Sequence, residues 1–274
     1  MIRLIATDID GTLVWRGVLP DANRQALHQA HQHGVQVVLA TVRKYSSAKE
    51  IADHVGLTCP LICEGGATIY DSTGTCVYTN AIDDESMQFI AHTADALGID
   101  LLVTHEGINY ATPNAIQELG HNDPTIMASM VSIPTAMALP TLSGITRIIV
   151  AGAEQVLTLE RAIDRLPLRL AKHFRRDGVL DDAVITSISA TKEQAVAHWC
   201  TINGLDWPDV MAIGDAEADA GMIQAARIGV APANATAAVK AVANWVGPLA
   251  EDGAVAAAIQ RFIFASQGDK QHVS

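Results

Sequence analysis

The fold of this chain is decided by residues 2–13, which read IRLIATDIDGTL. The apolar residues 2–7 predict a short buried strand that ends at Asp8. Asp10 follows two residues later, and side chains at that spacing project the same way while the backbone is extended. In open α/β sheets the functional site lies beyond the carboxyl ends of the strands. The stretch therefore predicts a sheet with paired carboxylates at its functional edge.

Alternating strands and helices follow this first strand. Residues 35–40, VQVVLA, form a nearly continuous apolar run, which is typical of a parallel strand covered on both faces. Ser47 and Glu50 have the spacing of a capping box and predict the start of the next helix. Residues 61–63 predict a third strand. The pattern predicts a Rossmann-like, doubly wound α/β core with a parallel sheet.

The sequence texture changes near residue 81, and the α/β pattern resumes near residue 188. Later segments include an apolar strand at residues 210–213. We therefore predict a core domain formed by residues 1–81 and 188–274, interrupted by an inserted α+β domain of residues 82–187. A length of 274 residues is compatible with two domains.

Composition narrows the class of protein. Acidic residues number 30 and basic residues 18, which gives a net charge of −12, so we expect neither nucleic-acid nor anionic-membrane binding. No long apolar run predicts a membrane-spanning helix, and the apolar start is too short for a signal peptide. The four cysteines show no paired spacing, which favours a reducing cytoplasm. The oligomeric state stays open.

A second pair of acids, Asp215 and Asp219, follows the apolar strand at residues 210–213. Neighbouring parallel strands can bring Asp215 to Asp8. Several carboxylates in one cleft offer hard oxygen ligands, which suit Mg²⁺. Solvated acids that cap a helix are the alternative for Asp215 and Asp219 alone.

Cationic and hydroxyl groups complete the candidate site. Thr41 and Arg43 follow the second strand, so the same geometry places them beside Asp8. Lys192 lies in the first turn of a predicted helix, where the helix dipole disfavours a cation unless an anion is near. A phosphoryl group fits this set, because Mg²⁺ and Lys192 neutralise it, Thr41 donates a hydrogen bond and Asp8 can attack it.

These residues resemble the four motifs of the haloacid dehalogenase superfamily of phosphotransferases. The motifs are Asp8-Ile9-Asp10-Gly11-Thr12, then Thr41, then Lys192, and finally Asp215 with Asp219. The resemblance covers almost the whole chain. The insert of residues 82–187 resembles the type IIB cap of the Cof-like sugar phosphatases, in which the cap determines substrate specificity.

The resemblance implies a role for each residue. Asp8 is the expected nucleophile, and Asp10 the acid that protonates the leaving group and then activates water. Thr41 and Lys192 are expected to hold the nucleophile and the phosphoryl oxygens. The expected Mg²⁺ ligands are Asp8, Asp215, the backbone carbonyl of Asp10, and Asp219 as a direct or supporting group. The residues expected to bind substrate are Gly11, Thr12, Arg43, Gly65, Gly66 and Asn234.

Three positions depart from the Cof-like pattern. Ala218 replaces an Asn, Val42 a Gly, and Gly65 another Asn. No nucleophile, acid or principal metal ligand is lost. The leading hypothesis is a Mg²⁺-dependent phosphatase that acts on a small phosphorylated metabolite of the sugar-phosphate kind. A phosphomutase, or a phosphate- and metal-binding regulatory protein without turnover, are the alternatives.

The insert carries a basic run at residues 172–176, KHFRR. Such a run is more often the solvated end of a strand or hairpin than a ligand site. Contact with a second anionic group of the substrate is the other possibility. The sequence does not decide between the two.

Overall fold

The computed structural model describes residues 1–120, 130–175 and 177–265. The chain divides into two compact units. The core unit comprises Met1–Tyr78 and the chain from Thr191 onward, and the insert unit comprises Thr79–Ala190. Residues 82–187, which were predicted to form the insert, all lie within the insert unit.

The strands and helices follow one another in the order that the sequence pattern suggests. The strands are β1 (Leu4–Thr7), β2 (Gln36–Ala40), β3 (Leu61–Cys63), β4 (Thr68–Tyr70), β5 (Cys76–Thr79), β6 (Leu102–His105), β7 (Ile108–Ala111), β8 (Met130–Ser132), β9 (Ile145–Ala151), β10 (Leu168–Phe174), β11 (Leu180–Ser187), β12 (Val210–Ile213), β13 (Ile228–Ala231) and β14 (Trp245–Val246). The helices are α1 (Asp21–Gln32), α2 (Tyr45–Val55), α3 (Asp84–Leu97), α4 (Pro113–Gly120), α5 (Ala153–Ile163), α6 (Lys192–Ile202), α7 (Ala220–Ala225), α8 (Ala237–Val242) and α9 (Ala254–Ile259).

The core sheet has the strand order β14-β13-β12-β1-β2-β3-β4-β5. The strands from β14 to β3 pair in parallel, and β4 adds an antiparallel partner to β3. Alternate residues of β1 face opposite sides, so Ile5 packs with Leu27 of α1 whereas Leu4 packs with Val196 of α6. Helices thus cover both faces, which confirms the predicted doubly wound α/β fold.

The insert unit is built on a separate sheet with the order β10-β11-β9-β6-β7-β8. Its neighbours pair antiparallel except β7 with β8. Met87 and Ile90 of α3 and Val156 of α5 pack with Ile148 of β9 on one face. Ala115 of α4 packs with Leu102 of β6 in a smaller cluster. Mixed helices and antiparallel strands confirm the α+β character of the insert.

Helix starts show where local sequence signals succeed and fail. Thr191 caps α6, because its side chain accepts a hydrogen bond from the Gln194 amide. The capping box predicted at Ser47 and Glu50 is wrong: α2 already begins at Tyr45. The Ser47 hydroxyl instead accepts a hydrogen bond from Arg43 Nη1 at 2.9 Å. Across the described ranges, the helices are too short or too polar to cross a bilayer.

Candidate active site

The parallel pairing of β1 with β12 brings two acidic segments to one edge of the core sheet. Thr7 pairs with Ile213 at the ends of these strands, and the Asp8 amide donates to the Ile213 carbonyl at 2.9 Å. Asp215 follows β12 directly. A tight turn returns Asp219, whose Oδ2 accepts from the amides of Asp215 and Ala216, both at 3.0 Å. Carboxylate oxygens of Asp8, Asp215 and Asp219 lie within 4.8 Å of one another.

Lys192 lies among these carboxylates. Its Nζ is 2.6 Å from Asp8 Oδ1 and 2.5 Å from Asp219 Oδ1, and its side chain is 2% exposed. Burial alone would lower the pKa of Lys192, but the charges of Asp8 and Asp219 outweigh it and raise that pKa. Lys192 therefore stays protonated and bridges the nucleophile candidate to the late acidic loop.

One ammonium does not balance three carboxylates. Burial raises the pKa of Asp8, and the nearby charges of Asp219 and Asp215 raise it further, against the opposing effect of Lys192. Burial is also the largest cause of the raised pKa of Asp215. The cluster has excess negative charge and only oxygen donors, so its chemistry fits a hard divalent cation.

The excess charge predicts how the stability of the metal-free protein depends on pH. Because Asp8 and Asp215 have raised pKa values in the folded state, the folded protein binds more protons than the unfolded chain above about pH 4. Stability should therefore fall as the pH rises toward neutrality. We expect a higher urea midpoint at about pH 5 than at about pH 8 in EDTA, and a smaller difference with Mg²⁺. The same pH dependence with and without Mg²⁺ would contradict a cation site in this cluster.

Asp10 has a different partner from Asp8. Its Oδ2 and Oδ1 accept from Arg43 Nε at 2.6 Å and Arg43 Nη2 at 2.7 Å, a bidentate pair. Hydrogen bonding to Asp10 is the main reason that the pKa of Arg43 is raised. The Asp10 side chain lies outside the acidic cluster, so any role of Asp10 as a metal ligand falls to its backbone carbonyl.

Gly11, Thr12 and Asn234 hold the loop after β1 against the late acidic loop. Gly11 has φ +78°, and a Cβ there would overlap the Asp215 carboxylate. Thr12 Oγ1 donates to Asp215 Oδ1 at 2.9 Å. Asn234 Nδ2 donates to the Gly11 carbonyl at 2.7 Å, and its Oδ1 accepts from the Ala250 amide at 2.9 Å. The side chains of Thr12 and Asn234, which were expected to bind substrate, thus already form hydrogen bonds within the protein.

Three further candidate residues follow the next two strands of the sheet: Thr41 follows β2, and Gly65 and Gly66 follow β3. Thr41 is buried; its Oγ1 accepts from the Arg43 amide at 3.1 Å, and its carbonyl from the Gly65 amide at 3.0 Å. Gly66 has φ +109°, and a Cβ there would overlap the Thr191 carbonyl at the start of α6. Close packing of this loop on α6 therefore helps to place Lys192.

Two of the departures leave the cluster geometry intact. Asp219 is fixed by the backbone amides of Asp215 and Ala216, so an Asn side chain at position 218 is not needed to orient it. Val42 is 55% exposed and leaves the hydrogen bond between Thr41 and Arg43 in place. The contact by which Ser47 supports Arg43 was not predicted, because a Ser in the first turn of a helix gives no such signal.

The buried carboxylates and the lysine stand beyond the carboxyl ends of the strands, where open α/β sheets carry their active sites. The haloacid dehalogenase-like hydrolase family matches residues 5–259, and the chain belongs to that family.

Similar proteins include two curated phosphatases. The 5-amino-6-(5-phospho-D-ribitylamino)uracil phosphatase YcsE of Bacillus subtilis (strain 168) is 26% identical over 272 residues, which cover 96% of each chain. The pyridoxal phosphate phosphatase YbhA of Escherichia coli (strain K12) is 28% identical over 261 residues, which cover 89% of this chain and 92% of that protein. The solved structure of the haloacid dehalogenase subclass IIB sugar phosphatase BT4131 has the same fold, with a TM-score of 0.76 at 21% identity, covering 95% of this chain and 98% of that one.

Proposed function

We propose that the protein is a Mg²⁺-dependent phosphatase that hydrolyses the phosphate monoester of a small metabolite, a sugar phosphate in the first instance. The observation that carries the proposal is the buried contact of Lys192 with Asp8 and Asp219, beside Asp215. A carboxylate held by a lysine at a metal-binding edge is suited to attack phosphorus. The phosphatase names of relatives that match nearly the whole chain support the same reaction.

The reaction has two steps. An Asp8 oxygen attacks phosphorus, the ester P–O bond breaks, and the leaving oxygen takes a proton from Asp10. Asp10 then takes a proton from water, the resulting hydroxide attacks phosphorus, and the Asp8–phosphorus bond breaks to release phosphate. Proton transfer by a positioned acid contributes about 10²–10⁴-fold to such rates. Arg43 holds both Asp10 oxygens, and release of this contact would free the guanidinium to bind the phosphoryl oxygens.

Asp8, Asp215 and the backbone carbonyl of Asp10 would hold the Mg²⁺, with Asp219 in support. Bound there, the cation supplies positive charge that offsets the repulsion between a carboxylate nucleophile and a phosphate dianion. Mg²⁺ is the proposed ion because the donors are hard oxygens and a phosphate ligand completes its preferred coordination.

The division of the chain has a proposed meaning. Residues 1–81 and 188–274 form the catalytic core, and residues 82–187 form a type IIB cap that selects the substrate. We infer a cytoplasmic enzyme, since the four cysteines of the sequence show no paired spacing.

A panel of phosphate monoesters, assayed for phosphate release with Mg²⁺ and with EDTA, tests the proposal. We expect Mg²⁺-dependent release from at least one sugar phosphate, and none above background in EDTA. Isomerised phosphorylated product with little free phosphate would instead indicate a phosphomutase. Tight binding of beryllofluoride with Mg²⁺, without hydrolysis of any ester, would indicate a regulatory protein.

A further inference from the structure

The insert sheet carries a polar row on one of its faces. Opposite α3 and α5, Leu102, Ala111 and Ile149 of three adjacent strands pack with Ala115 and Ile116 of α4. Two residues away along each of these strands, the side chains on this same face are polar rather than apolar. Polar side chains thus replace apolar ones at the same level of three neighbouring strands. Burying polar groups is unfavourable unless they are hydrogen-bonded, so their presence on this face needs a physical reason.

Strand register places five polar residues side by side. Thr104 pairs with Asn109 on one side and with Arg147 on the other. Arg169 pairs with Thr186, and the pairing of Ile185 with Ile148 brings Thr186 beside Arg147 at the next position. We call Asn109, Thr104, Arg147, Thr186 and Arg169 the polar row. Its two arginines stand on strands separated by one other, so their backbones are about 10 Å apart.

The hydrogen bonds of the polar row leave Arg147 incompletely satisfied. Thr104 and Asn109 are buried, and Thr104 Oγ1 donates to Asn109 Oδ1 at 2.9 Å. Arg147 Nη2 reaches Thr104 Oγ1 only at 3.4 Å. Arg147 Nε is buried and has no hydrogen-bond partner within the described residues. A buried donor without an acceptor is unfavourable, so the site lacks an acceptor that a ligand can supply.

Charge on this part of the sheet is also unbalanced. Within the described ranges, neither Arg147 nor Arg169 forms a salt bridge. The basic run that the sequence analysis singled out is different, because Lys172 pairs with Glu160 at 2.8 Å and His173 with Asp182 at 2.8 Å. Arg176, the last residue of that run, lies outside the described residues. Among the described residues of the run, Lys172, His173 and Arg175 thus lie near acidic partners, whereas Arg147 and Arg169 of the polar row do not.

We infer that the polar row binds the oxyanion, phosphate or carboxylate, of a small ligand. The Arg147 guanidinium is a planar fork of donors that matches the oxygens of such a group, and its buried Nε is the donor left without an acceptor. Arg169 adds charge two strands away, and Asn109 Nδ2 adds a donor, since its Oδ1 is already bound to Thr104. A neutral ligand would leave the charge unbalanced, and a cation would be repelled.

Nuclear magnetic resonance of the full chain tests this site without relying on catalysis. The ¹⁵N-labelled Asp8→Asn protein in EDTA is titrated with inorganic phosphate, and the arginine Nε–Hε signals are followed. The Arg147 signal is assigned by its loss in an added Arg147→Lys substitution. We expect it to shift saturably, and Arg169→Gln to weaken the apparent affinity by about tenfold. The matched control is Arg161→Gln on α5, an exposed arginine on the opposite face, which should leave the affinity unchanged.

The inference fails if the Arg147 signal does not move with phosphate, or if Arg161→Gln weakens binding as much as Arg169→Gln.

Kinetics then distinguish two sources of the anion. If it is a second acidic group of the substrate, a reading that rests on the proposed phosphatase function, Arg147→Gln raises KM only for esters with that group. If it is a separate effector, added anions change the wild-type rate but not that of Arg147→Gln. The resonance test stays valid even if no ester is hydrolysed.

Discussion

The Asp8→Asn variant is expected to release phosphate from the best monoester substrate at least about 10⁴-fold more slowly than the wild type, with an intact fold. An amide has the shape of the carboxylate but cannot attack phosphorus or form an acyl-phosphate. On the proposed mechanism the loss should appear in kcat, because Thr41, Arg43 and Lys192 would still be in place to bind the phosphoryl group. Phosphate release at saturating substrate with Mg²⁺ is the measurement.

Stability separates a chemical loss from a structural one in this variant. Asp8 is one of three carboxylates around one lysine, and burial disfavours its charge. Removing that charge relieves repulsion while Lys192 keeps its contact with Asp219. The urea midpoint in EDTA should therefore be no lower than that of the wild type. Asp21→Asn, which changes an exposed carboxylate at the start of α1, is the control and should retain full activity. Activity of Asp8→Asn above about 1% of wild type would show that another group attacks phosphorus.

Strand and turn physics made the site edge predictable from sequence. Asp8 and Asp215 each follow an apolar strand, and parallel pairing of those strands leaves little freedom in where the two residues lie. Lys192 was a candidate because a nearby anion offsets its conflict with the helix dipole, although an exposed lysine was the alternative for this residue taken alone. At Asp8, Asp215 and Lys192, the local sequence pattern and the pairing of distant strands therefore predict the same location.

Other features depend on tertiary geometry that sequence does not encode locally. Asp8 and Asp10 were expected to project the same way, which holds only while the backbone is extended. The turn after β1 ends the extended backbone, and Asp10 pairs with Arg43 instead. The two hydrogen bonds of Asn234 join segments far apart in the chain. The polar row was missed for a similar reason. Arg147 is a single cation in an apolar strand, and the rest of the row becomes visible only through the register of five strands.

Replacing Lys192 with Met is expected to have the largest effect on stability. The substitution leaves Asp8 and Asp219 buried beside Asp215 without their shared counter-charge, and breaking a buried ion pair on one side costs about 3–5 kcal/mol. We expect the free energy of unfolding in EDTA to fall by that amount at neutral pH. The deficit should be smaller at about pH 5, because carboxylates with raised pKa values gain protons there in the folded state. Mg²⁺ should restore part of the loss by binding the folded protein.

A second substitution shows whether unbalanced charge causes this loss. Adding Asp219→Asn to Lys192→Met removes one of the unpaired carboxylates, and the amide oxygen can still accept from the Asp215 and Ala216 amides. The double variant should therefore be more stable than Lys192→Met alone, although Asp219→Asn by itself should destabilise the wild type by weakening a contact with Lys192. Lys49→Met is the control, since that exposed lysine of α2 pairs with Asp53 at the surface. If the two substitutions simply add, Lys192 contributes packing rather than charge to the site, and the electrostatic argument for a cation beside Asp8 loses its basis.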